Sequence, residues 1–207
     1  MCGRYFIYKE PEDQDLTDYL RKLNRYAGQT VKTEGEIFPA DTAPVLAVNR
    51  RREKRVFPME WGFTLPGGRR VINARGESAG ERPLFRDSFA ARRCAVLASG
   101  YYEWDHNTPA HAKYAIRARD RRPIYMAGLY RMEQDKPVFS ILTRPVAPAI
   151  SFIHHRMPVI LSRDAALLWI DPDQNPAPIM ARAIDDVAAE KMFSGPEQTM
   201  IDWEGEM

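Results

Sequence analysis

Residues 94–104 run Cys94-Ala95-Val96-Leu97-Ala98-Ser99-Gly100-Tyr101-Tyr102-Glu103-Trp104. The first five are apolar without alternation, the pattern of a strand covered on both faces, and Cys94 fits there as a small core residue. Ser99-Gly100 interrupts the run, and an acid then sits between two aromatic rings. A carboxyl boxed by Tyr102 and Trp104 loses water, which raises its pKa toward general acid–base duty. The alternative is a surface Glu103 whose aromatic neighbours face the core on alternate positions. Both readings stand at this point.

Outward from this stretch the chain is mostly strand-like. Pro44 to Val48 and Val56 to Phe63 flank Arg50-Arg51-Arg52-Glu53-Lys54-Arg55, an exposed hairpin tip for which a solubilising role competes with phosphate contact. Pro66-Gly67-Gly68 breaks the second strand. Val71-Ile72-Asn73-Ala74-Arg75-Gly76-Glu77-Ser78 then joins a short apolar pair to Asn, Arg and Glu, as a strand delivering polar groups to a cleft does. Lys113 to Arg117, Pro123 to Tyr130 and Pro137 to Thr143 read as three more strands, with a turn at Asp120-Arg121-Arg122. Helical spacing covers residues 11–27, where Leu16, Tyr19, Leu20, Leu23 and Tyr26 share a face, acids crowd the first turn and Gly28 ends it. A short helix is expected from Leu84 to Arg92, and another, capped by Ser162, from Ala165 to Ile170. Residues 148–155 read as a helical turn ending in His154-His155, followed by a strand from Arg156 to Leu161. A Pro-rich loop then leads into an acidic tail.

At 207 residues the chain fits one domain with a core that needs no staples. Its 44% apolar content argues against wholesale disorder. Two cysteines make no secreted disulfide framework, no run approaches the ~20 apolar residues of a membrane span, and the start lacks a signal-peptide core. A reducing, cytoplasmic setting is expected, beside the nucleoid in a bacterial cell. Residues 171–207 hold nine acids and two bases, a net −7, so the preceding 170 carry +9 of an overall +2. A basic body suits a polyanion partner, although a solvated surface of mixed sign explains the same count.

Cys2 directly follows Met1. If Met1 is removed, Cys2 bears an α-amine, of ordinary pKa about 7.7–8.0, beside a thiol of about 8.5. Such a 1,2-aminothiol attacks an aldehyde through nitrogen and closes through sulfur, or serves as a thiolate nucleophile. The bland alternative is an early residue in a loose end. His154 and His155 are adjacent and no cysteine spacing supports them, so a metal site is rejected. A histidine beside Arg156 suits a proton donor or phosphate partner. There is no internal repeat, phosphate-binding glycine loop or serine-nucleophile elbow.

Met1-Cys2-Gly3-Arg4, Ile72-Asn73-Ala74-Arg75, Arg93-Cys94 with Gly100-Tyr101-Tyr102-Glu103-Trp104, and Ile153-His154-His155-Arg156-Met157-Pro158-Val159-Ile160-Leu161 occur in this order over nearly the whole chain. Together they resemble the SOS-response-associated peptidase (SRAP) family, whose members sense abasic sites in single-stranded DNA. The resemblance implies a single α+β domain over residues 1–207, the acidic segment 171–207 part of it or appended. Its β core would be largely antiparallel and barrel-like, flanked by helices. It implies self-processing of Met1, after which Cys2 forms a thiazolidine cross-link with the ring-opened sugar, with cysteine-peptidase-like and lyase-type activity. Asn73 would hold the Cys2 terminus and the sugar, Glu103 would shuttle protons, and His154 would assist ring opening. Arg4, Arg75 and Arg156 would grip phosphates, Thr143 would join that DNA-binding set, and Trp61 would offer a stacking face. The expected partner is single-stranded DNA with abasic sites, bound by a monomer without metal, cofactor or membrane. The chain departs from the family pattern at His155, where Asp is usual, at Glu36, where Asn is usual, and after Trp61-Gly62, where no second tryptophan follows. Two other functions compete: a thiol-dependent peptidase or amidohydrolase with Cys2 as nucleophile and His154 as base, and a non-covalent single-strand binding module.

Overall fold

The computed structural model describes residues 2–8, 14–23, 30–105 and 111–192. Met1, the acidic first turn and Gly28 stop expected of the first helix, and the acidic segment beyond Met192 lie outside the described residues.

β1 (Arg4–Ile7) is followed by α1 (Gln14–Leu23), which buries Leu20 and Leu23. β2 (Gly35–Ile37) precedes the hairpin of β3 (Thr42–Val48) and β4 (Lys54–Trp61), and α1 packs on β4. At the hairpin tip the Asn49 side-chain oxygen accepts from the backbone N–H groups of Arg51 and Glu53, closing the turn locally. The strand expected to continue to Phe63 stops at Gly62, whose φ of 117° only glycine tolerates readily. Short strands β5 (Phe63–Thr64), β6 (Arg70–Val71) and β7 (Asn73–Arg75) follow. Then come α2 (Arg86–Ala91), β8 (Arg93–Ala98), β9 (Gly100–Trp104), β10 (Lys113–Ala118), β11 (Ile124–Glu133) and β12 (Lys136–Pro145). The expected helical turn is a 3₁₀ turn over Pro148–Ile150 only. The strand expected from Arg156 to Leu161 is split into β13 (Arg156–Pro158) and β14 (Ile160–Leu161), because its halves pair with different neighbours, β12 and β11. α3 (Arg163–Trp169), with the Ser162 hydroxyl accepting from Ala165 N–H, is followed by α4 (Pro176–Met180) and β15 (Val187–Met192).

β8 is buried at every position, as its composition requires, and both its edges are paired: with β3 and with β11. β3 pairs with β4, β11 with β12, and β12 returns to β4 in parallel, Phe139 opposite Trp61. Five strands therefore close a barrel with one parallel seam in an otherwise antiparallel ring. The chain is a single α+β domain of the expected kind. A second sheet, in the order β15-β10-β9-β1-β2, is antiparallel throughout. Only Ser99 separates β8 from β9, so one continuous stretch leaves the barrel wall and becomes the middle of the second sheet. Gly100 makes the passage possible: a Cβ there would lie 2.5 Å from Phe6 Cζ and 2.6 Å from the Ile116 carbonyl.

Arg93 fastens the helices to this wall. It is 1% exposed and donates to five backbone carbonyls: Trp169 (2.6 Å), Phe89 and Ala90 (3.0 Å each), Gln174 (2.9 Å) and Asp171. Carbonyls near the ends of α2 and α3, which have no partners within the helix, are thereby satisfied by one guanidinium. Among the described residues no helix is long and apolar enough to cross a membrane.

Candidate functional site

The second sheet brings the start of the chain to the acid of β9. β1 lies antiparallel to β9 with Arg4 opposite Tyr102 and Tyr5 opposite Tyr101, so Cys2, just before β1, lies beside the Glu103 end of β9. β7 is held parallel to β12, Asn73 opposite Ile141 and Arg75 opposite Thr143, at the end of the barrel where β12 finishes. From there the Asn73 Nδ2 donates to the Cys2 carbonyl at 2.8 Å. Asn73 Oδ1 is buried with no hydrogen-bond partner among the described residues.

Glu103 is 4% exposed, and its carboxylate acts electrostatically on both Cys2 and His154. The His154 Nδ1 accepts from the Arg156 backbone N–H at 2.9 Å, so a neutral imidazole carries its proton on Nε2. Burial holds the His154 pKa below its ordinary value, His155 adds to the effect, and Glu103 opposes it. The two imidazoles stack with centroids 4.3 Å apart and planes 21° apart, so the unusual His155 acts on His154 as a ring neighbour and supplies no carboxylate.

The Cys2 thiol differs from its expected state. It is fully buried with Sγ 3.8 Å from the Arg4 carbonyl. Burial, with the Glu103 carboxylate adding to it, pushes the thiol pKa well up, so sulfur here is a protonated thiol and not a thiolate.

The residues expected to touch DNA fall into two groups. Arg75 is exposed and makes no ion pair among the described residues. Arg4 is half-buried, 3.2 Å from Glu36 and stacked over Phe38 (4.3 Å) and Trp104 (4.9 Å). Glu36 also takes Lys113 at 2.6 Å, so the acid at this departing position serves two cations at once. Lys32 lies over Phe38 as well.

The other three are placed differently from the expectation. Trp61 is 0% exposed and offers no stacking face. Its ring is locked in the core against Phe139 and Tyr5, and its N–H donates to the Ile72 carbonyl. Thr143 is also fully buried; its hydroxyl contacts the Ala74 carbonyl and Arg156. Arg156, 9% exposed, is held by both Glu77 oxygens, at 2.7 and 2.8 Å, and by the Thr143 carbonyl. The Arg156 guanidinium holds the Glu77 carboxyl below the usual range. Glu77 and Lys113 received no role from the sequence. Glu77 closes the Asn73-Ala74-Arg75-Gly76-Glu77 run, a signal that was present, but its partner lies far along the chain.

Asn73, Glu103 and His154 thus surround the Cys2 end of β1, with an amide on the Cys2 carbonyl, a buried carboxyl, and an imidazole of fixed tautomer. Such a set can position a terminal residue and move protons around it. Among the described residues no three of His, Cys, Asp and Glu gather as a metal-holding group.

The sequence pattern of the SOS response associated peptidase (SRAP) family matches residues 1–199. The chain belongs to the SRAP family. It is 28% identical over 189 residues to the abasic site processing protein YoqW of Bacillus subtilis, covering 83% of this chain and 81% of that one. It is 29% identical over 182 residues to the abasic site processing protein YedK of Escherichia coli, covering 82% and 79%. A crystal structure of a protein from Bacteroides thetaiotaomicron superposes with a TM-score of 0.74 at 22% identity, over 93% of each chain, which shows that the fold is shared.

Proposed function

We propose that this SRAP domain processes abasic sites in single-stranded DNA by forming a thiazolidine through Cys2 once the Met1–Cys2 bond is cut. The observation that carries the reading is the 2.8 Å bond from Asn73 to the Cys2 carbonyl, which ties the start of the chain beside Glu103, whose charge reaches both Cys2 and His154. Kinship with curated proteins named for abasic site processing supports the substrate.

The order of steps follows from the protonation states. As the deoxyribose opens, its ring oxygen takes a proton from the Cys2 ammonium while the His154 Nε2–H hydrogen-bonds that oxygen, and Glu103 takes the proton released from the sugar hydroxyl. The α-amine of Cys2 attacks first, because the buried thiol is held protonated. Its nitrogen adds to the aldehyde carbon, and the carbinolamine loses water with a proton returned by Glu103. The Cys2 sulfur then adds to the iminium carbon as its proton leaves to the carboxylate. The balance is one aldehyde plus one aminothiol giving one five-membered ring and one water. Amine, thiol, carboxyl and imidazole supply every proton transfer, so the scheme asks for no metal or cofactor. Arg4, Arg75 and Lys113 supply phosphate attraction beside the pocket, and Trp104, half-buried under Arg4, takes over the stacking role that Trp61 is too buried to fill. The protein acts as a cytoplasmic monomer in this scheme. A thiolate-based peptidase has less support, since the same burial that favours amine-first chemistry disfavours a sulfur nucleophile.

Intact mass spectrometry after incubation with abasic single-stranded DNA tests the reading. The expected product has the mass of the chain without Met1 plus the DNA minus one water, and it survives a heated denaturing gel. Cys2→Ala should leave no heat-stable band. Absence of the adduct from wild-type protein lacking Met1 overturns the proposal.

A further inference from the structure

Two features of the sequence have no part in that chemistry: the arginine-rich tip of the β3–β4 hairpin and the acidic end of the chain. A groove of about 670 Å³ lies beside the β3–β4 and β11–β12 hairpins, whereas Cys2, Asn73 and Thr143 gather where β7 and β12 end. Its floor is apolar, with Phe57, Met59, Tyr130 and Met132, and Met132 is 56% exposed. Its rim is basic, with Arg50, Arg52 and Arg92. Arg50 and Arg92 make no ion pair among the described residues, and Arg92 Nε is buried without a hydrogen-bond partner. An apolar floor under a cationic rim selects a ligand that is apolar at its centre and anionic at its margins.

The chain carries such a segment. Met200-Ile201-Asp202-Trp203-Glu204-Gly205-Glu206-Met207 places a tryptophan and three further large apolar side chains among three acids. The C-terminal third already meets this tip: Arg52 pairs with Asp173 at 2.7 Å and lies 3.9 Å from Asp171. From Met192, the end of β15, eleven residues to Trp203 span up to about 36–40 Å.

We propose that the groove is the docking site for residues 200–207 of the same chain, with Trp203 seated on the Met59–Met132 floor and Asp202, Glu204 and Glu206 facing Arg50 and Arg92. The contact pins the end of the chain at the hairpin tips, leaving the basic surface around Arg4 and Lys113 open to a polyanion.

The full-length protein carrying Trp203→benzoylphenylalanine tests this by photo-cross-linking and peptide mass spectrometry, mixed with a heavy-isotope-labelled copy. Cross-links from position 203 to Met59 or Met132 within one chain are expected. Adding Arg50→Glu and Arg92→Glu should lower their yield about tenfold, equivalent to ~1.4 kcal/mol of docking free energy. Mixed-isotope products, which put a second copy in the groove, overturn the proposal. So do cross-links to the Arg4–Lys113 surface, or a yield that the charge reversals leave unchanged.

Discussion

β8 and β9 are one stretch of chain with a single residue between them, yet they do opposite work. β8 has barrel strands on both edges and a side chain buried at every position, and its one charged residue, Arg93, is spent on backbone carbonyls. β9 lies in the open second sheet, between β1 and β10, and places Glu103 beside Cys2. A wall closed on both faces can hold charge only as a permanent fastener. Where the same chain leaves the wall, a carboxyl can be buried and still be reached by a terminal residue. The proposed chemistry of this domain is sited at that departure.

Substitutions on the two sides should separate stability from activity. The largest stability effect is expected for Arg93→Met, which leaves five carbonyls without their donor. A loss of about 3–5 kcal/mol is expected from leaving several buried carbonyls unsatisfied at about 1–3 kcal/mol each, read by denaturant unfolding, with cross-linking per folded molecule unchanged. At the crossing point, Gly100→Ala must push Phe6 or the Ile116 carbonyl aside and should cost about 1–3 kcal/mol as overpacking does. It should also slow adduct formation by shifting β9 against β1. A fall in stability with no change in cross-linking rate would show that the two strands are less coupled than their register implies.

On the site side the pattern reverses. Asn73→Ala removes one hydrogen bond, worth about 1 kcal/mol of stability, while the rate of adduct formation on a denaturing gel drops steeply because the Cys2 carbonyl loses its anchor. The smallest effect concerns pH. The folded His154 pKa is depressed, so above the ordinary histidine pKa of about 6.5 both states are neutral and nothing is lost. As pH falls below that value the unfolded chain binds the proton first, and stability declines until the folded pKa is passed. His154→Gln should flatten that acid limb in urea titrations repeated across pH.

What was legible in the sequence was local. The uniform apolarity of Cys94 to Ala98, the Arg50–Arg55 tip, whose last two residues join β4, and the Ser162 cap each depend on residues within a few positions. The barrel itself and the set Cys2, Asn73, Glu103 and His154 came through motif resemblance, since nothing in spacing alone joins residues so far apart. What the sequence did not show is non-local. Trp61 looks like a free aromatic next to a glycine, and only the seam with Phe139 encloses it. Arg156 looks like a phosphate ligand, and only the return of Glu77 from β7's end occupies it. β15 was hidden in the acidic segment, because an edge strand with Glu190, Lys191 and Met192 exposed carries little apolar alternation.

The parallel seam between β4 and β12 has a kinetic meaning. Every other joint of the ring can be zipped by antiparallel growth, with two of the four formed by short hairpins, but Trp61 meets Phe139 only after β8, β9, β10 and β11 have been threaded between them. Closing so long a loop is entropically slow relative to hairpin growth. The last stave to lock is therefore the one that seals an indole, and tryptophan emission during refolding should report ring closure as its final event.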